Sequence, residues 1–348
     1  MKGLILAAGL GTRLRPLTSL RPKPALSVAN RPLIYYALDD LVNAGVTDIG
    51  IVVSPATHDS LQELVNAYEG ITATYIVQDP PLGLAHAVQT AQPFLGDSDF
   101  VMFLGDNLFE HGITPFVDRF REGGASAVLA LVPVPDPRQL GVAVVQDGRI
   151  TELVEKPEVP PSNLAIAGVY VFSKDIHDMI VDLPRGAKNE YQITDAIARL
   201  IERGYTVVPG EVTGWWKDTG KAEDILDANA LVLARQTPKQ EGTVKDSTIT
   251  GNVVIEAGAK VRYSTIEGPA LIAAGASVQH ATIRPNTTIE QDARVAHTEI
   301  GDSIIGRGST VEYAKRLTRS LIGAEATISS DDAASLTIGD HATVKLPS

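Results

Sequence analysis

The sequence contains no cysteine in its 348 residues, so disulfide bonds and thiolate metal sites are excluded. It also lacks an excess of basic charge: 30 Lys and Arg residues stand against 42 Asp and Glu residues, for a net charge of −12. That balance argues against an extended nucleic-acid surface, although a few locally focused basic residues still allow a small anionic ligand. No apolar run reaches transmembrane length, and the apolar start is too short for a secretory segment. We therefore expect a cytoplasmic protein with no nucleic-acid or membrane partner.

Two textures divide the chain at a polar break over residues 236–243. Before the break, short apolar runs typical of buried strands, such as residues 49–53 and 101–104, alternate with helical patterns such as residues 193–202. This alternation predicts an α/β domain over residues 1–238, with a Rossmann-like, mainly parallel sheet between helices. Ligands of such sheets bind outside the carboxyl ends of the strands.

Beyond the break, branched aliphatic residues recur in steps of six, with occasional steps of five. Their positions are Ile249, Ile255, Val261, Ile266, Ile272, Val278, Ile283, Ile289, Val295, Ile300, Ile305, Val311, Leu317, Ile322 and Ile328. This period is typical of a left-handed parallel β-helix and does not match the α-helix. We predict such a β-helix over residues 239–348, interrupted before its last rung by a loop over residues 329–335 that contains Asp331 and Asp332. Because solenoids expose flat faces, we also expect a homo-oligomer.

The first apolar run ends in a glycine-rich loop with the features of a phosphate site. Gly9 and Gly11 leave backbone N–H groups uncovered, and Arg13 and Lys23 add two positive charges. The loop is not the dinucleotide fingerprint, because Leu14 stands where the third glycine belongs, and it lacks the Gly-Lys-Ser/Thr of a P-loop. It therefore predicts a triphosphate-binding site of a different kind.

Taken with Thr12, Pro16, Thr18 and the stretch Pro22-Lys23-Pro24, this loop resembles that of the sugar-phosphate nucleotidyltransferases, in particular their long-form members with an extra C-terminal domain. The resemblance extends over essentially the whole chain. It implies that dTTP and α-D-glucose 1-phosphate react to give dTDP-glucose and pyrophosphate, with Mg²⁺ bound at the α-phosphate. The nucleotide-binding residues that it implies are Leu6, Gly9, Gly11, Thr12, Arg13, Gln78, Gly83 and Asp106.

Two carboxylates are the candidate metal ligands. Asp106 follows an apolar strand-like run, and Asp218 lies in the stretch Trp216-Lys217-Asp218-Thr219. Mg²⁺ favours one or two carboxylates together with phosphate oxygens. A purely structural role is the alternative for each: Asp106 as a cap or turn residue, and Asp218 as the N-cap of a helix that starts near Lys221. The resemblance favours the metal-binding role for both.

A second cluster of motifs predicts base recognition. Gln78 offers a donor and an acceptor, the complement of a pyrimidine imide edge, and Gly83 allows backbone atoms to approach the same base. The resemblance assigns both residues to thymine or uracil. His86 lies on a predicted helix that starts at Gly83, where packing or capping is a better interpretation than general base catalysis.

The sugar phosphate is assigned to Glu155 and Lys156, since the carboxylate suits sugar hydroxyls and the ammonium suits the phosphate. A surface ion pair between these two neighbours is the alternative, which the alternation of side chains along a strand disfavours. The resemblance adds Gly141, Ile166 and Tyr170 to the walls of this pocket. The stretch over residues 190–195 is expected to be structural, at a helix start.

The catalytic residues implied are Arg13, Lys23, Asp106, Lys156 and Asp218, which act by positioning and charge neutralisation. Three alternatives are open. The same chemistry with UTP is the nearest, because uracil differs from thymine by one methyl. A hexapeptide-repeat acyltransferase would need a histidine base, and His280 and His297 are better explained as solvated turn residues. A non-catalytic nucleotide sensor is disfavoured by the intact set of charged residues.

Overall fold

The computed structural model describes residues 1–186, 189–329 and 333–345. Contacts divide the chain into two compact units, which we call the sheet unit (residues 1–10 and 33–218) and the repeat unit (residues 11–32 and 219–348). The segment 11–32, which begins at the second glycine of the loop, thus belongs to the repeat unit. The domain boundary predicted between residues 238 and 239 stays a prediction.

The first thirteen strands precede the repeats. They are β1 (Lys2–Leu6), β2 (Ser27–Val28), β3 (Arg31–Pro32), β4 (Asp48–Val53), β5 (Thr72–Val77), β6 (Phe100–Leu104), β7 (Asn107–Phe109), β8 (Ala127–Pro133), β9 (Gly141–Gln146), β10 (Arg149–Glu155), β11 (Leu164–Phe172), β12 (Val207–Glu211) and β13 (Trp216–Asp218). The helices are α1 (Leu33–Asn43), α2 (His58–Asn66), α3 (Leu84–Thr90), α4 (Gln92–Leu95), α5 (Thr114–Arg121), α6 (Ile176–Ile180), α7 (Ile193–Glu202) and α8 (Ala222–Arg235).

The sheet unit is built on one nine-stranded sheet in the order β10-β9-β11-β6-β1-β4-β5, with β8 paired to β11 and β12 paired to β8. Strands β6, β1, β4 and β5 are parallel, whereas β11 runs antiparallel to β6, β8 and β9. The α/β class is confirmed, with the difference that antiparallel pairs make the sheet mixed. The strands in its centre are buried on both faces, and this explains their continuous apolar runs.

Alternation along the strands feeds two cores, one on each face of the sheet. In β1, Leu4 belongs to one core and Ile5 to the other, and both are fully buried. Helix α7 covers the first core with Ile193, Ala196 and Ile197, the spacing that its sequence predicts. The sheet therefore ends in fixed, well-packed strand termini, which is what a site at those termini requires.

The repeat unit contains three parallel sheets that follow the predicted period. One contains β14 (Lys239–Gln240), β17 (Val253–Ile255), β20 (Ala270–Ile272), β23 (Thr287–Ile289), β26 (Ile304–Ile305), β29 (Leu321–Ile322) and β32 (Thr337–Ile338). The second contains β15 (Thr243–Lys245), β18 (Lys260–Arg262), β21 (Ser277–Gln279), β24 (Arg294–Ala296), β27 (Thr310–Glu312), β30 (Thr327–Ser329) and β33 (Thr343–Lys345). The third contains β16 (Thr248–Thr250), β19 (Thr265–Glu267), β22 (Thr282–Ile283), β25 (Glu299–Gly301), β28 (Arg316–Thr318) and β31 (Ala333–Ala334).

Each aliphatic position of the predicted repeat falls in one of these strands, and together these side chains form a third core. Val261 pairs with Val278 and Val278 with Val295, so each coil stacks the same residue on itself. The arrangement is consistent with the predicted left-handed β-helix. Asp331 and Asp332 of the predicted loop lie outside the described residues. The loop assignment is wrong for Ala333 and Ala334, which form β31 and pair with β28, so the third sheet continues to this point.

No helix in the described parts of the chain is long and apolar enough to cross a membrane.

Candidate active site

Asp106 lies in the two-residue turn that connects β6 to β7, directly after the carboxyl end of a central strand. Its half-buried carboxylate accepts a hydrogen bond of 2.8 Å from the amide Nδ2 of Asn107, which is itself buried. Gly168 leaves the space for that amide, because a Cβ at Gly168 would come within 2.9 Å of it. Asp106 is thus a turn residue, as the alternative of a purely structural role predicted. Its carboxylate is nevertheless held in place by the buried amide of Asn107.

Strand β13 pairs antiparallel with β7 and sets Asp218 opposite Asn107, next in sequence to Asp106. The indole Nε1 of Trp216 donates a hydrogen bond of 2.7 Å to Oδ1 of Asn107, so one buried amide connects both strands. Asp218 lies within β13, and the N-cap of α8 is Lys221. The alternative of a capping role for Asp218 is therefore wrong. The pairing of β7 with β13 thus brings together two aspartates from distant parts of the sequence: Asp218 in β13, and Asp106 directly before β7.

The carboxylate oxygens of Asp106 and Asp218 are donors of the kind that Mg²⁺ binds. Mg²⁺ takes one or two carboxylates and completes its shell with water and substrate phosphate. Among residues 1–186, 189–329 and 333–345, no group of three or more His, Cys, Asp or Glu side chains forms an all-protein metal site. Asp106 and Asp218 are the residues that could hold such an ion.

Sequence reasoning overlooked Asn107 and Trp216, although both lie inside the motifs that it singled out. Asn107 follows the predicted metal ligand directly, and the indole of Trp216 reaches it across the β7–β13 pair. An amide between a carboxylate and an indole donor is a signal for an orienting group, but only once strand pairing is known.

Gln78 follows β5 and is 4% exposed. Its Nε2 lies 3.0 Å from the carbonyl oxygen of Gly83 and 3.0 Å from Nδ1 of His86. Gly83 precedes α3 with φ of 105°, and a Cβ there would meet the backbone oxygen of Tyr191 at 2.6 Å. The two predicted base-binding residues are brought together, and Gly83 is required where it stands. His86, expected to pack or cap, packs against Gln78 and stacks on Tyr191.

The predicted sugar residues also converge. Glu155 pairs with Gly141 across β10 and β9, and a Cβ at Gly141 would lie 3.1 Å from Ile166 and 3.3 Å from the Glu155 carboxylate. Thr194 at the start of α7 donates a hydrogen bond of 3.2 Å to Oε2 of Glu155. Thr194 was not predicted as a site residue, since the stretch 190–195 was interpreted as structural.

Lys156 departs from the sequence argument. Its Nζ lies 2.5 Å from Oε1 of Glu155, so the ion pair that side-chain alternation disfavoured is present. The reason is local: β10 ends at Glu155, and Lys156 has φ of 44°, outside the extended region in which neighbours point apart. The lysine therefore lies beside the carboxylate, where both can face one sugar phosphate.

Tyr170 is a core residue with one electrostatic connection to this cluster. It is 4% exposed and stacks on Phe172 at 5.7 Å. Burial, and secondarily the charge of Glu155, raise the pKa of the Tyr170 phenol far above its usual range. Burial and then Glu155 likewise raise the pKa of Asp195. Glu155 thus influences two neighbouring groups, which is expected of a carboxylate in a partly desolvated pocket.

The glycine loop begins in the sheet unit and continues in the repeat unit. Leu6 ends β1 beside Leu104 and packs on the first core, and Gly9 is exposed, with open space where a Cβ would be. In the repeat unit, Gly11 has φ of 60°, the left-handed conformation that favours glycine. A Cβ there would lie 3.2 Å from Cβ of Lys23, so these two predicted residues are brought together.

Arg13 and Lys23, the two predicted positive charges of the loop, differ in their exposure to solvent. Thr12 and Arg13 are exposed on a 3₁₀ turn, Thr12–Leu14, whereas Lys23 is only 8% exposed. Thr18 donates a hydrogen bond of 2.8 Å to the carbonyl oxygen of Gly11 and closes the turn. Arg13 is thus placed to reach a ligand from solvent, while Lys23 is part of the packed base of the loop.

Residues 11–32 are anchored on the repeats. Nε of Arg21 lies 2.7 Å from Oδ2 of Asp340, whose side chain is 6% exposed. The backbone N–H of Ala29 donates to Oδ1 of Asn229, a fully buried residue of α8 that also accepts from Thr288 at 2.7 Å. Asp340 in the last rung and Asn229 in α8 therefore both hold the segment that carries Arg13 and Lys23.

His280 and His297 are exposed turn residues with left-handed φ, as expected. Their rings stack on each other at 5.0 Å, between Tyr263 and Tyr313. This ladder accounts for both histidines as corner residues of successive coils, and it lends no support to an acyltransferase site.

Comparison with known proteins agrees with this geometry. The nucleotidyl transferase family profile matches residues 2–235. The chain is 40% identical over 359 aligned positions to a glucose-1-phosphate thymidylyltransferase of Streptomyces griseus, with all of both chains covered. It is 46% identical over 263 positions to the low-salt glycan biosynthesis nucleotidyltransferase Agl11 of Haloferax volcanii, covering 74% of each.

Among solved structures, a putative glucose-1-phosphate thymidylyltransferase of Bacillus anthracis, crystallised with sucrose, superposes with a TM-score of 0.64 at 35% identity. The match covers 69% of this chain and 98% of the other. The likeness to the Streptomyces protein, by contrast, includes the repeats.

Proposed function

The chain belongs to the nucleotidyl transferase family, and we propose that within it the protein joins dTTP to α-D-glucose 1-phosphate, releasing pyrophosphate and forming dTDP-glucose. The full-length likeness to the Streptomyces griseus enzyme, repeats included, is the observation that carries this proposal. Three sets of residues support it: Asp106 and Asp218 suit a metal ion at the phosphates, Gln78 and its neighbours suit the base, and Glu155 with Lys156 suits the sugar phosphate.

In the proposed mechanism an oxygen of the sugar phosphate attacks the α-phosphorus in line, and pyrophosphate leaves from the opposite side. Phosphoryl transfer of this kind relies on positioning and charge neutralisation and needs no covalent protein nucleophile. Lys156 would hold the attacking phosphate, with Glu155 on the sugar hydroxyls. Arg13 would neutralise the leaving pyrophosphate, while Lys23 would support the phosphate loop.

The metal would be held by Asp106 and Asp218. When bound, Mg²⁺ withdraws charge from the phosphate oxygens and so favours attack at phosphorus. The surrounding side chains keep the ligands in position, because Asn107 orients the Asp106 carboxylate through its amide and Trp216 fixes that amide. Magnesium is proposed among divalent ions because hard oxygen donors and phosphate suit it.

The test is to incubate the protein with each common nucleoside triphosphate and glucose 1-phosphate, in the presence of Mg²⁺, and to measure pyrophosphate. We expect turnover with dTTP that depends on the sugar phosphate. Turnover with UTP alone would reassign the protein to uridylyl transfer, since a single methyl separates the bases. Absence of pyrophosphate with every nucleotide, accompanied by consumption of acetyl-CoA, would support the acyltransferase alternative and end this proposal.

A further inference from the structure

Gln78 is the side chain of the predicted base site whose chemistry can distinguish one pyrimidine from another. A side-chain amide has two donor hydrogens on nitrogen and an acceptor oxygen. Nε2 of Gln78 meets the carbonyl oxygen of Gly83 at 3.0 Å and Nδ1 of His86 at 3.0 Å. Both of those partners use the nitrogen, so Oε1 is the atom that is left to meet a ligand.

His86 and the Gly83 carbonyl hold this orientation together. Since its Nδ1 accepts from an amide nitrogen, the ring proton must lie on Nε2, in the neutral tautomer. Burial, and then the nearby Arg185, lower the pKa of His86 and so favour the neutral ring. If the amide of Gln78 turned over, its oxygen would face the Nδ1 lone pair and the Gly83 carbonyl, two acceptors at once.

The histidine is itself held on a rigid support. Its ring stacks on Tyr191 with centroids 6.2 Å apart and planes inclined by 24°. The backbone of Tyr191 accepts from the N–H of Ala85 at 3.1 Å and donates to the carbonyl oxygen of Leu82 at 2.8 Å. The loop before α3 and the segment before α7 are thus fastened together around His86.

We propose that His86 is a positioning residue that locks the Gln78 amide with its oxygen toward the nucleotide, so that the site selects bases carrying an imide N–H. The inference rests on the proposed function and adds the rule by which that site chooses its base. Thymine and uracil present a donor at N3, which Oε1 can accept. Cytosine presents a lone pair at N3, which would face Oε1 as a second acceptor.

Two variants separate this role from packing. His86→Phe keeps a flat ring against Tyr191 but removes one of the two acceptors that hold the Gln78 nitrogen, so the turned-over amide is opposed by the Gly83 carbonyl alone. His86→Gln restores an acceptor that the Gln78 nitrogen can meet. His58→Phe is the matched control, because His58 also lies edge-on to a tyrosine, Tyr75, but its ring nitrogen meets the adjacent Asp59 on the surface.

The measurement is the ratio of dissociation constants for dCTP and dTTP, obtained by titration calorimetry with Mg²⁺ on the full chain. We expect His86→Phe to lower the wild-type preference for dTTP by about tenfold, the effect of one hydrogen bond. His86→Gln should recover most of that preference, and His58→Phe should leave it unchanged. Circular dichroism of each variant checks that it has folded.

Binding is measured separately from turnover, so the two proposals can fail independently. An unchanged dCTP to dTTP ratio in folded His86→Phe would overturn the role of His86 even if the wild type makes dTDP-glucose. A wild type that binds dTTP no better than dCTP would also overturn it. Selective dTTP binding that weakens in folded His86→Phe, without pyrophosphate release by the wild type, would instead contradict the proposed function and uphold the role of His86.

Discussion

The repeat unit and the sheet unit use their residues in different ways. Val261, Val278 and Val295 occupy the same place in successive coils, so one pattern of burial serves the whole solenoid. Each strand end of the sheet unit is different: β6 leads to Asp106, β5 to Gln78 and β10 to Lys156. These predicted site residues therefore lie in the sheet unit at strand ends that do not repeat. A repeated position stabilises the solenoid, but it cannot bring different side chains together at one site.

Residues 11–32 are an exception to this division. They belong to the repeat unit by their contacts, yet they carry Arg13 and Lys23, the predicted phosphate ligands. Asp340 and Asn229, also in the repeat unit, hold this segment through Arg21 and the backbone N–H of Ala29.

The largest effect is expected at a strand end of the sheet unit. Asp106→Asn removes one charge from the proposed metal pair and should lower turnover by at least ~10²-fold, as for loss of one electrostatic stabiliser. The readout is pyrophosphate release at saturating Mg²⁺ and dTTP. Asp136→Asn, the same change at an exposed aspartate that pairs with Arg138, serves as control. Normal turnover by Asp106→Asn would remove this residue from the mechanism.

In the repeats, the corresponding loss should appear in stability. Ile283 is fully buried in β22 between Ile266 and Ile300 of the adjoining coils. Ile283→Ala should lower the free energy of unfolding of the repeats by about 2–5 kcal/mol, since it leaves a cavity that neighbouring coils share. Far-ultraviolet circular dichroism during urea unfolding measures this. Thr282→Ala, at the adjacent half-buried position, should cost clearly less; equal costs would contradict the packing described.

A buried acid in the sheet unit gives a pH-dependent effect. Burial, and then the charge of Asp39, raise the pKa of Asp40 in α1 to about 7. The folded state thus holds this proton more tightly than the unfolded state, so stability is lost as pH rises from about 4 to about 7. Asp40→Asn should raise the free energy of unfolding by about 4 kcal/mol at pH 8 and change it little near pH 4.

Tryptophan fluorescence can follow this transition, because both tryptophans, Trp215 and Trp216, lie in the sheet unit. Asp118→Asn on the surface is the control, since Asp118 is exposed and pairs with the exposed Arg121. A stability difference between Asp40→Asn and wild type that is the same at both pH values would contradict the assignment of a raised pKa.

The smallest effect is expected where the repeats hold the phosphate loop. Asp340→Ala removes the ion pair with Arg21 and should raise the KM for dTTP by about tenfold with little change in kcat, because fewer molecules hold the loop in its binding conformation. Arg21→Ala should act alike, and the double variant should add little. Asp302→Ala, which breaks a similar pair with Arg319 on the repeats, should leave KM unchanged. Additive effects of Arg21→Ala and Asp340→Ala would contradict the coupling.

Periodicity explains why so much of the repeat unit could be predicted from the sequence. The recurrence of branched aliphatic residues in steps of six, with occasional fives, marks one position in every strand from β16 to β30. Motif residues of the sheet unit could also be predicted, because each lies next to its own element in the sequence: Asp106 follows its strand directly, and Gly83 precedes its helix. Contacts between distant segments, such as Trp216 with Asn107 or Thr194 with Glu155, depend on strand pairing and could not be inferred.

Local backbone geometry explains the error at Glu155 and Lys156. Alternation of side chains holds only inside a strand, and the left-handed φ of Lys156 lies one residue beyond it. The placement of residues 11–32 was likewise beyond sequence reasoning, because Asp340, the partner of Arg21, lies 319 positions away.

The most direct measurement is a crystal structure of the full chain grown with dTTP and a magnesium salt. We predict one ion shared between the carboxylates of Asp106 and Asp218 and an oxygen of the innermost phosphate, with the outer phosphates at Arg13. Nucleotide bound elsewhere, or an ion that neither aspartate contacts, would contradict this arrangement.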